Sequence, residues 1–146
     1  MSSGRHPNAP APAPGESRFP FLDHIGLVVR EHGAGSSTCA LTVAPFHRNS
    51  SGIVHGAVLF ALADTGMGAA LFPTLEQGDG CATVELKISY FKPVREGELV
   101  CTTQLVHRAR TLANLESSIY AGAALVARAN GHFAIVRRQA PAASTG

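Results

Sequence analysis

The chain has 146 residues, 45% of them hydrophobic, and a formal net charge of +2 with its histidines neutral. This length and apolar content suit one globular domain with its own core, and the small charge without a basic run argues against a nucleic-acid partner. The first residues lack the apolar stretch of a signal peptide. The three cysteines, Cys39, Cys81 and Cys101, follow neither disulfide-framework nor zinc spacing. We therefore expect a cytoplasmic protein with free thiols, buried as small apolar side chains.

Two terminal segments are predicted to be disordered tails. Residues 1–17 are rich in Pro, Ala, Ser and Gly and almost lack the large apolar side chains that order a chain. Residues 139–146 form a second loose tail. The folded domain is expected to span residues 18–138.

A short helix and a β-hairpin are predicted at the start of this domain. Apolar residues between 19 and 25 have helical spacing, and Gly26 ends that helix. Two strand patterns follow, separated by a glycine-rich turn. The predicted strands are 27–31 and 38–43, and Pro45 and a loop over 46–52 come after them.

Residues 49–71, NSSGIVHGAVLFALADTGMGAAL, form the stretch around which the rest of the chain is expected to fold. A helix that starts between Gly52 and Gly56 and ends at Leu71 would be apolar all round, which is typical of a core or membrane helix. It is short for a span of roughly 20 residues, so the core is favoured and no membrane partner is expected. Buried carboxylates are rare unless they are paired or functional. Asp64 therefore has a function, caps a neighbouring loop, or lies at a hydrated interface between subunits.

Four strand patterns follow a break at Pro73 and residues 76–80. They cover residues 81–90, 98–108, 112–120 and 125–137, and their short connections imply antiparallel neighbours. Alternation in the first of them predicts an apolar face and a polar face. The apolar face holds Val84, Leu86, Ile88 and Tyr90, and the polar face holds Thr83, Glu85, Lys87 and Ser89. A curved sheet of five or six strands can wrap the apolar helix, which indicates an α+β fold.

The segment Asn49 to Gly56, with Asp64 nine residues after His55, resembles the motif of hotdog-fold acyl-CoA thioesterases of the PaaI-like, phenylacetate-degradation type. The similarity also includes residues 21–27, 62–65 and 83–93. The family pattern has a second glycine where this chain has Ala57. The resemblance implies a hotdog fold, in which a curved antiparallel sheet wraps one long central helix. It also implies hydrolysis of an acyl-CoA thioester to free CoA and a carboxylate.

Five residues are candidates for the site. Unsatisfied N–H groups at a helix start suit the oxyanion that forms on a thioester carbonyl, and the resemblance assigns this role to Gly56. Asp64 would be the nucleophile or the general base that activates water, two roles that remain open. His55 either polarises the carbonyl or bonds to local backbone, and Asn49 either fixes the loop or contacts substrate. Thr83 matches a hydroxyl position that holds water in related enzymes, or is an ordinary strand residue.

No metal or cofactor is expected, because CoA is part of the substrate and His47, His55 and Asp64 lack the spacing of a rigid ligand set. A serine hydrolase is disfavoured because no GxSxG elbow occurs. The alternatives that remain are a non-catalytic acyl-CoA-binding hotdog module, another enzyme of this fold such as a hydratase, and a purely structural oligomeriser.

The spacing of Gly56 and Asp64 predicts a shared active site. Eight residues of helix correspond to about 12 Å, whereas a reacting carbonyl needs its donor and its attacking group each within about 3 Å. Two antiparallel helices about a two-fold axis would bring Gly56 of one chain to Asp64 of the other. We therefore predict a homodimer with two shared sites, and the family's habit of pairing dimers predicts a homotetramer.

Overall fold

A computed structural model of the chain describes residues 19–137, and the two predicted tails, 1–17 and 139–146, lie outside this range. Within it the chain forms two α-helices, two short 3-10 helices and six strands. The α-helices are α1 (Pro20–Ile25) and α2 (Gly56–Leu71), and the 3-10 helices are Pro45–His47 and Phe72–Thr74. The strands are β1 (Leu27–Gly33), β2 (Ser36–Thr42), β3 (Gly80–Tyr90), β4 (Glu98–Arg108), β5 (Leu112–Ala121) and β6 (Ala124–Val136).

The predicted short helix and hairpin are confirmed. Helix α1 ends at Gly26, whose φ of +75° lies in the left-handed region that glycine adopts without a Cβ penalty. Strands β1 and β2 pair antiparallel. Each strand extends two residues further towards the turn than predicted. The reason is that the turn itself needs only Ala34 and Gly35, and Gly35 has a φ of +91°.

The six strands form one sheet in the order β1-β2-β4-β5-β6-β3, and all neighbours are antiparallel. The predicted antiparallel sheet around one long helix is therefore confirmed. Strands β4, β5 and β6 follow each other by short turns, whereas β3 crosses over to pair with β6. As a result β1 and β3 form the two edges of the described sheet.

Helix α2 packs on one face of this sheet and supplies much of the core. Its buried large side chains are Leu59, Leu62, Met67 and Leu71, and they meet sheet residues that include Leu41, Leu99, Leu115 and Ile119. Each such side chain contributes about 1.5–3 kcal/mol when it is fully buried. The stretch Gly56–Thr74 is long and apolar enough by composition to cross a membrane. Its packing here is that of a core helix.

The helix lies close against the sheet at Gly66. A Cβ atom added to Gly66 would lie 2.6 Å from the Thr103 hydroxyl and 3.4 Å from the Ser37 hydroxyl. The Ser37 hydroxyl also donates a hydrogen bond of 2.6 Å to the Gly66 carbonyl. Only glycine fits at this contact, which sets the height of α2 above β2 and β4.

The cysteines are free, as predicted. Cys39 and Cys101 are buried and Cys81 is partly buried. Burial raises the pKa of the Cys39 thiol to about 12 and that of Cys101 to about 11. Both thiols are therefore protonated at neutral pH and behave as small apolar side chains.

The predicted alternation of β3 is wrong at its first half, because the strand contains a bulge. Thr83 pairs with Phe133 and Glu85 pairs with His132, so Val84 is an extra residue, and 63% of its surface is exposed. A bulge shifts the side-chain phase of the strand on one side of it. Thr83 therefore faces α2, together with Leu86 and Ile88, and does not lie on the opposite polar face.

Candidate active site

The start of α2 presents one N–H group without an acceptor. His55 is the N-cap residue, and its own N–H donates to the His47 carbonyl over 2.8 Å. The Ala57 N–H donates to Nδ1 of His55 over 2.9 Å, and the Val58 N–H donates to the His55 carbonyl over 2.9 Å. Among the described residues no acceptor contacts the Gly56 N–H. This group carries the positive end of the helix dipole and is available to an anionic oxygen.

The tautomer of His55 follows from its capping bond. A backbone N–H can only donate, so Nδ1 must accept and the neutral ring carries its proton on Nε2. His55 is exposed, and its Nε2–H is free to point to a ligand beside Gly56. The bond to local backbone is thus observed, while the polarising role of His55 remains a prediction.

Asn49 holds the loop that leads into α2. Its Oδ1 accepts hydrogen bonds from the N–H groups of Ser51 (3.0 Å) and Ile53 (3.2 Å). The Gly52 N–H donates to the Asn49 carbonyl over 3.0 Å, and Gly52 has a φ of +71°. Asn49 therefore fixes the loop, as one of its two predicted roles requires, and a contact with substrate remains a prediction.

The Thr83 hydroxyl contacts the Asp64 carboxylate directly. It donates to Oδ1 of Asp64 over 2.6 Å and so ties β3 to α2. A hydrogen bond to a charged acceptor contributes about 1.5–3 kcal/mol. Asp64 is partly exposed in the single chain.

Cys81 lies on the same face of β3 as Thr83, close enough to Asp64 to interact with its charge. Burial raises the pKa of this thiol, and the negative charge of Asp64 raises it further. The thiol is therefore protonated at neutral pH, so it does not compete with Asp64 as a nucleophile.

Tyr90 belongs to the site although sequence reasoning did not place it there. Its hydroxyl donates to the Gly56 carbonyl over 2.8 Å, and its ring lies against the α-carbon of Gly56. The two residues are 34 positions apart in sequence. The strand alternation placed Tyr90 on the correct face, but no sequence pattern indicated which part of the helix it would meet.

An open, mainly apolar cleft of about 380 Å³ adjoins the helix start. The cleft is lined by Gly56, by Val54 and Leu59, and by the aromatic side chains of Tyr90 and Phe91. Lys92, which also lines the cleft, brings a positive charge. The cleft can accept an apolar group beside the free N–H.

The five predicted residues form two groups along α2. Asn49, His55 and Gly56 lie at its start, while Asp64 and Thr83 lie about two turns further on. Eight residues of α-helix separate Gly56 from Asp64, about 12 Å at 1.5 Å per residue. One chain therefore presents the donor and the carboxylate at separate places.

No group of three His, Cys, Asp or Glu side chains within residues 19–137 could hold a metal ion. His47 is buried, and both of its ring nitrogens bond to backbone, Nδ1 to the Ala44 N–H (2.8 Å) and Nε2 to the Ile25 carbonyl (2.7 Å). The expectation that the reaction needs no cofactor remains a prediction.

Comparisons with known proteins show the family to which the chain belongs. The family model described as the thioesterase superfamily matches residues 51–128, which run from the loop before α2 into β6. Human acyl-coenzyme A thioesterase 13 is 32% identical over 80 residues, 54% of this chain and 56% of that protein.

Two solved structures share the fold and more than a quarter of the sequence. The conserved protein PA5202 from Pseudomonas aeruginosa is 32% identical, with a TM-score of 0.77 over 80% of this chain and 93% of that one. The phenylacetic acid degradation-related protein of Ralstonia eutropha JMP134 is 28% identical, with a TM-score of 0.74 over 86% of this chain and 92% of that one. The resemblance in the sequence is thus confirmed. The chain belongs to the thioesterase superfamily: it is a hotdog-fold thioester hydrolase.

Proposed function

We propose that the protein hydrolyses acyl-CoA thioesters to free CoA and a carboxylate. The observation that carries this proposal is the Gly56 N–H, which lacks an acceptor at the start of the helix that bears Asp64. The name of the human relative, an acyl-coenzyme A thioesterase, supports CoA as the thiol of the substrate.

The helix start stabilises the charge that develops on the carbonyl oxygen. The Gly56 N–H donates to this oxygen, and Nε2–H of His55 is a second donor within the same turn. A preorganised donor of this kind contributes about 10²–10³ in kcat. Ala57, in place of the family's second glycine, offers no further donor because its N–H is bonded to His55.

Asp64 supplies the attacking group by one of two routes. As a nucleophile, a carboxylate oxygen bonds to the acyl carbon, CoA leaves as its thiolate, and water then hydrolyses the mixed anhydride. As a general base, Asp64 takes a proton from water, the hydroxide attacks the acyl carbon, and the leaving thiolate recovers the proton. The Thr83 hydroxyl orients the carboxylate by donating to it and can accept a hydrogen bond from that water.

The active site is shared between two chains. Strand β3 is an edge of the sheet, and its unpaired side is a ready template for another strand. The outward face of α2 is apolar at Ala57, Phe60 and Ala61, and 38% of Phe60 is exposed. An antiparallel second copy would cover these surfaces and bring Gly56 of one chain near Asp64 of the other. We extend this to a cytoplasmic homotetramer, in line with the pairing of dimers in the family.

A thiol-release assay tests this function. The purified protein is incubated with a panel of straight-chain and aryl acyl-CoAs, and released CoA is measured with a chromogenic thiol reagent. We expect hydrolysis of at least one class. Asp64→Asn keeps the shape of the side chain but removes its basicity, so kcat should fall about 10²-fold or more. A blank without substrate corrects for the protein's own thiols.

Two results would contradict this proposal. A folded wild-type protein that releases no thiol from any member of the panel would exclude acyl-CoA hydrolysis. Near-normal turnover by Asp64→Asn, with a wild-type circular dichroism spectrum, would exclude Asp64 as the attacking group and leave it the role of an interface or capping residue.

A further inference from the structure

The peptide group between Gly56 and Ala57 is held at both ends. Its carbonyl oxygen accepts the Tyr90 hydroxyl over 2.8 Å, and its N–H donates to Nδ1 of His55 over 2.9 Å. One bond comes from the end of β3 and the other from the helix cap. This peptide plane cannot rotate without the loss of at least one of them.

Such restraint has a consequence for Gly56 because glycine is the residue with the widest backbone freedom. The Tyr90 ring occupies the side where other residues carry Cβ. An added Cβ at Gly56 would lie 3.0 Å from the Tyr90 hydroxyl oxygen and 3.1 Å from Cζ. Tyr90 thus crowds any larger side chain at this position and limits how the glycine can move.

The preceding residue is also fixed, since the His55 N–H donates to the His47 carbonyl over 2.8 Å. The His55 carbonyl, which shares a peptide plane with the Gly56 N–H, accepts the Val58 N–H over 2.9 Å. The peptide planes on both sides of the Gly56 α-carbon are therefore held, which sets the direction of the Gly56 N–H. We propose that Tyr90 is a positioning residue for the oxyanion donor, which holds the Gly56 N–H in the direction of the thioester oxygen. This inference rests on the proposed function.

The chemistry of Tyr90 agrees with this role. Burial raises the pKa of its hydroxyl, so the group keeps its proton and remains a donor at neutral and mildly alkaline pH. Its side chain also forms a wall of the cleft beside Gly56, where the proposed function places the thioester carbonyl.

Tyr90→Phe tests the inference, because it removes the hydroxyl and keeps the ring. The control is Tyr120→Phe, which changes the only other tyrosine of the chain, on β5. Loss of one positioning hydrogen bond should lower kcat about three- to tenfold and leave KM within about twofold. Tyr120→Phe should match the wild type in both constants.

A binding measurement separates positioning from a general structural effect. Two inert analogues are compared by calorimetry: an acyl-CoA whose sulfur is replaced by CH₂, which keeps the carbonyl oxygen, and a thioether, which lacks it. Tyr90→Phe should weaken the ketone analogue about twofold, in line with the small change in KM, and leave the thioether unchanged. If Tyr90→Phe does not fold, Tyr90→Met, which also lacks the donor, replaces it.

The outcomes distinguish this inference from the function on which it rests. If Tyr90→Phe behaves like Tyr120→Phe, or weakens both analogues equally, Tyr90 does not position the donor, while the thioesterase activity stands. If the wild-type protein hydrolyses no acyl-CoA, the proposed function and this inference are both overturned.

Discussion

At the scale of single residues, the hydrogen bond from the Thr83 hydroxyl orients the Asp64 carboxylate. The 2.6 Å bond engages one carboxylate oxygen, and in the proposed mechanism the other oxygen attacks the acyl carbon or takes a proton from water. The same hydroxyl oxygen can accept a hydrogen bond. In the proposed mechanism Thr83 can therefore align the Asp64 carboxylate and the attacking water without taking part in proton transfer.

Substitution of Thr83 tests this role. Thr83→Ala should lower kcat roughly tenfold, the equivalent of one hydrogen bond of about 1.4 kcal/mol. Thr83→Ser keeps the hydroxyl and should retain most of the activity. Thr102→Ala, at an exposed threonine of β4, is the matched control and should leave kcat unchanged. Equal activities of the Ala and Ser variants at position 83 would show that the hydroxyl is not used.

At the scale of elements, the position of α2 on the sheet depends on Gly66. The site needs Asp64 at the height of Thr83, and this height is set where the helix touches Thr103 and Ser37. Because close-packed protein interiors are hardly compressible, a methyl group at this contact must displace the helix or its neighbours.

Gly66→Ala should lower the free energy of unfolding by about 1–3 kcal/mol, the range of overpacking. Gly68→Ala is the control, because no atom lies within 4 Å of an added Cβ there. It should raise the free energy of unfolding by about 0.5–1 kcal/mol through helix propensity. Urea titrations at one protein concentration give both values. Similar effects of the two substitutions would show that Gly66 is not confined as described.

At the scale of the whole molecule, the separation of the two halves of the site along α2 predicts that each active site needs two chains. The free edge of β3 and the apolar outward face of α2 are the surfaces that a second copy would cover. A monomer would keep donor and carboxylate about 12 Å apart and should be inactive.

Mixing of two inactive variants tests this arrangement. Asp64→Asn lacks the attacking group, and Gly56→Pro lacks the N–H donor while proline remains compatible with the first turn of a helix. Unfolded together and refolded in equal amounts, they should form half mixed dimers. Each mixed dimer has one intact site, so about a quarter of the wild-type activity should return.

Gly56→Ala is the control for the added Cβ, because it makes the same close contact with Tyr90 but keeps the N–H. It should be more active than Gly56→Pro. Native mass spectrometry confirms that mixed dimers have formed. Negligible recovery of activity in their presence would mean that each site lies within one chain.

The sequence by itself was sufficient to predict the order of the main helices and strands. The long helix with its single carboxylate has the predicted start and end, and β4 has the predicted bounds, 98–108. These features depend on local periodicity, capping residues and turn residues, which act over a few positions. Asp64 was singled out because it is the one carboxylate of an apolar segment, and the helix start because its N–H groups lack partners and the family resemblance gives Gly56 the oxyanion role.

Tertiary structure decided how those residues face each other. The bulge at Val84 turns Thr83 to Asp64, yet it arises from the pairing of β3 with β6, about 50 residues away in the chain. The contact of Tyr90 with Gly56 joins the end of one element to the start of another. Such contacts are selected by the packing of the whole sheet on α2, and a single sequence carries no local pattern for them.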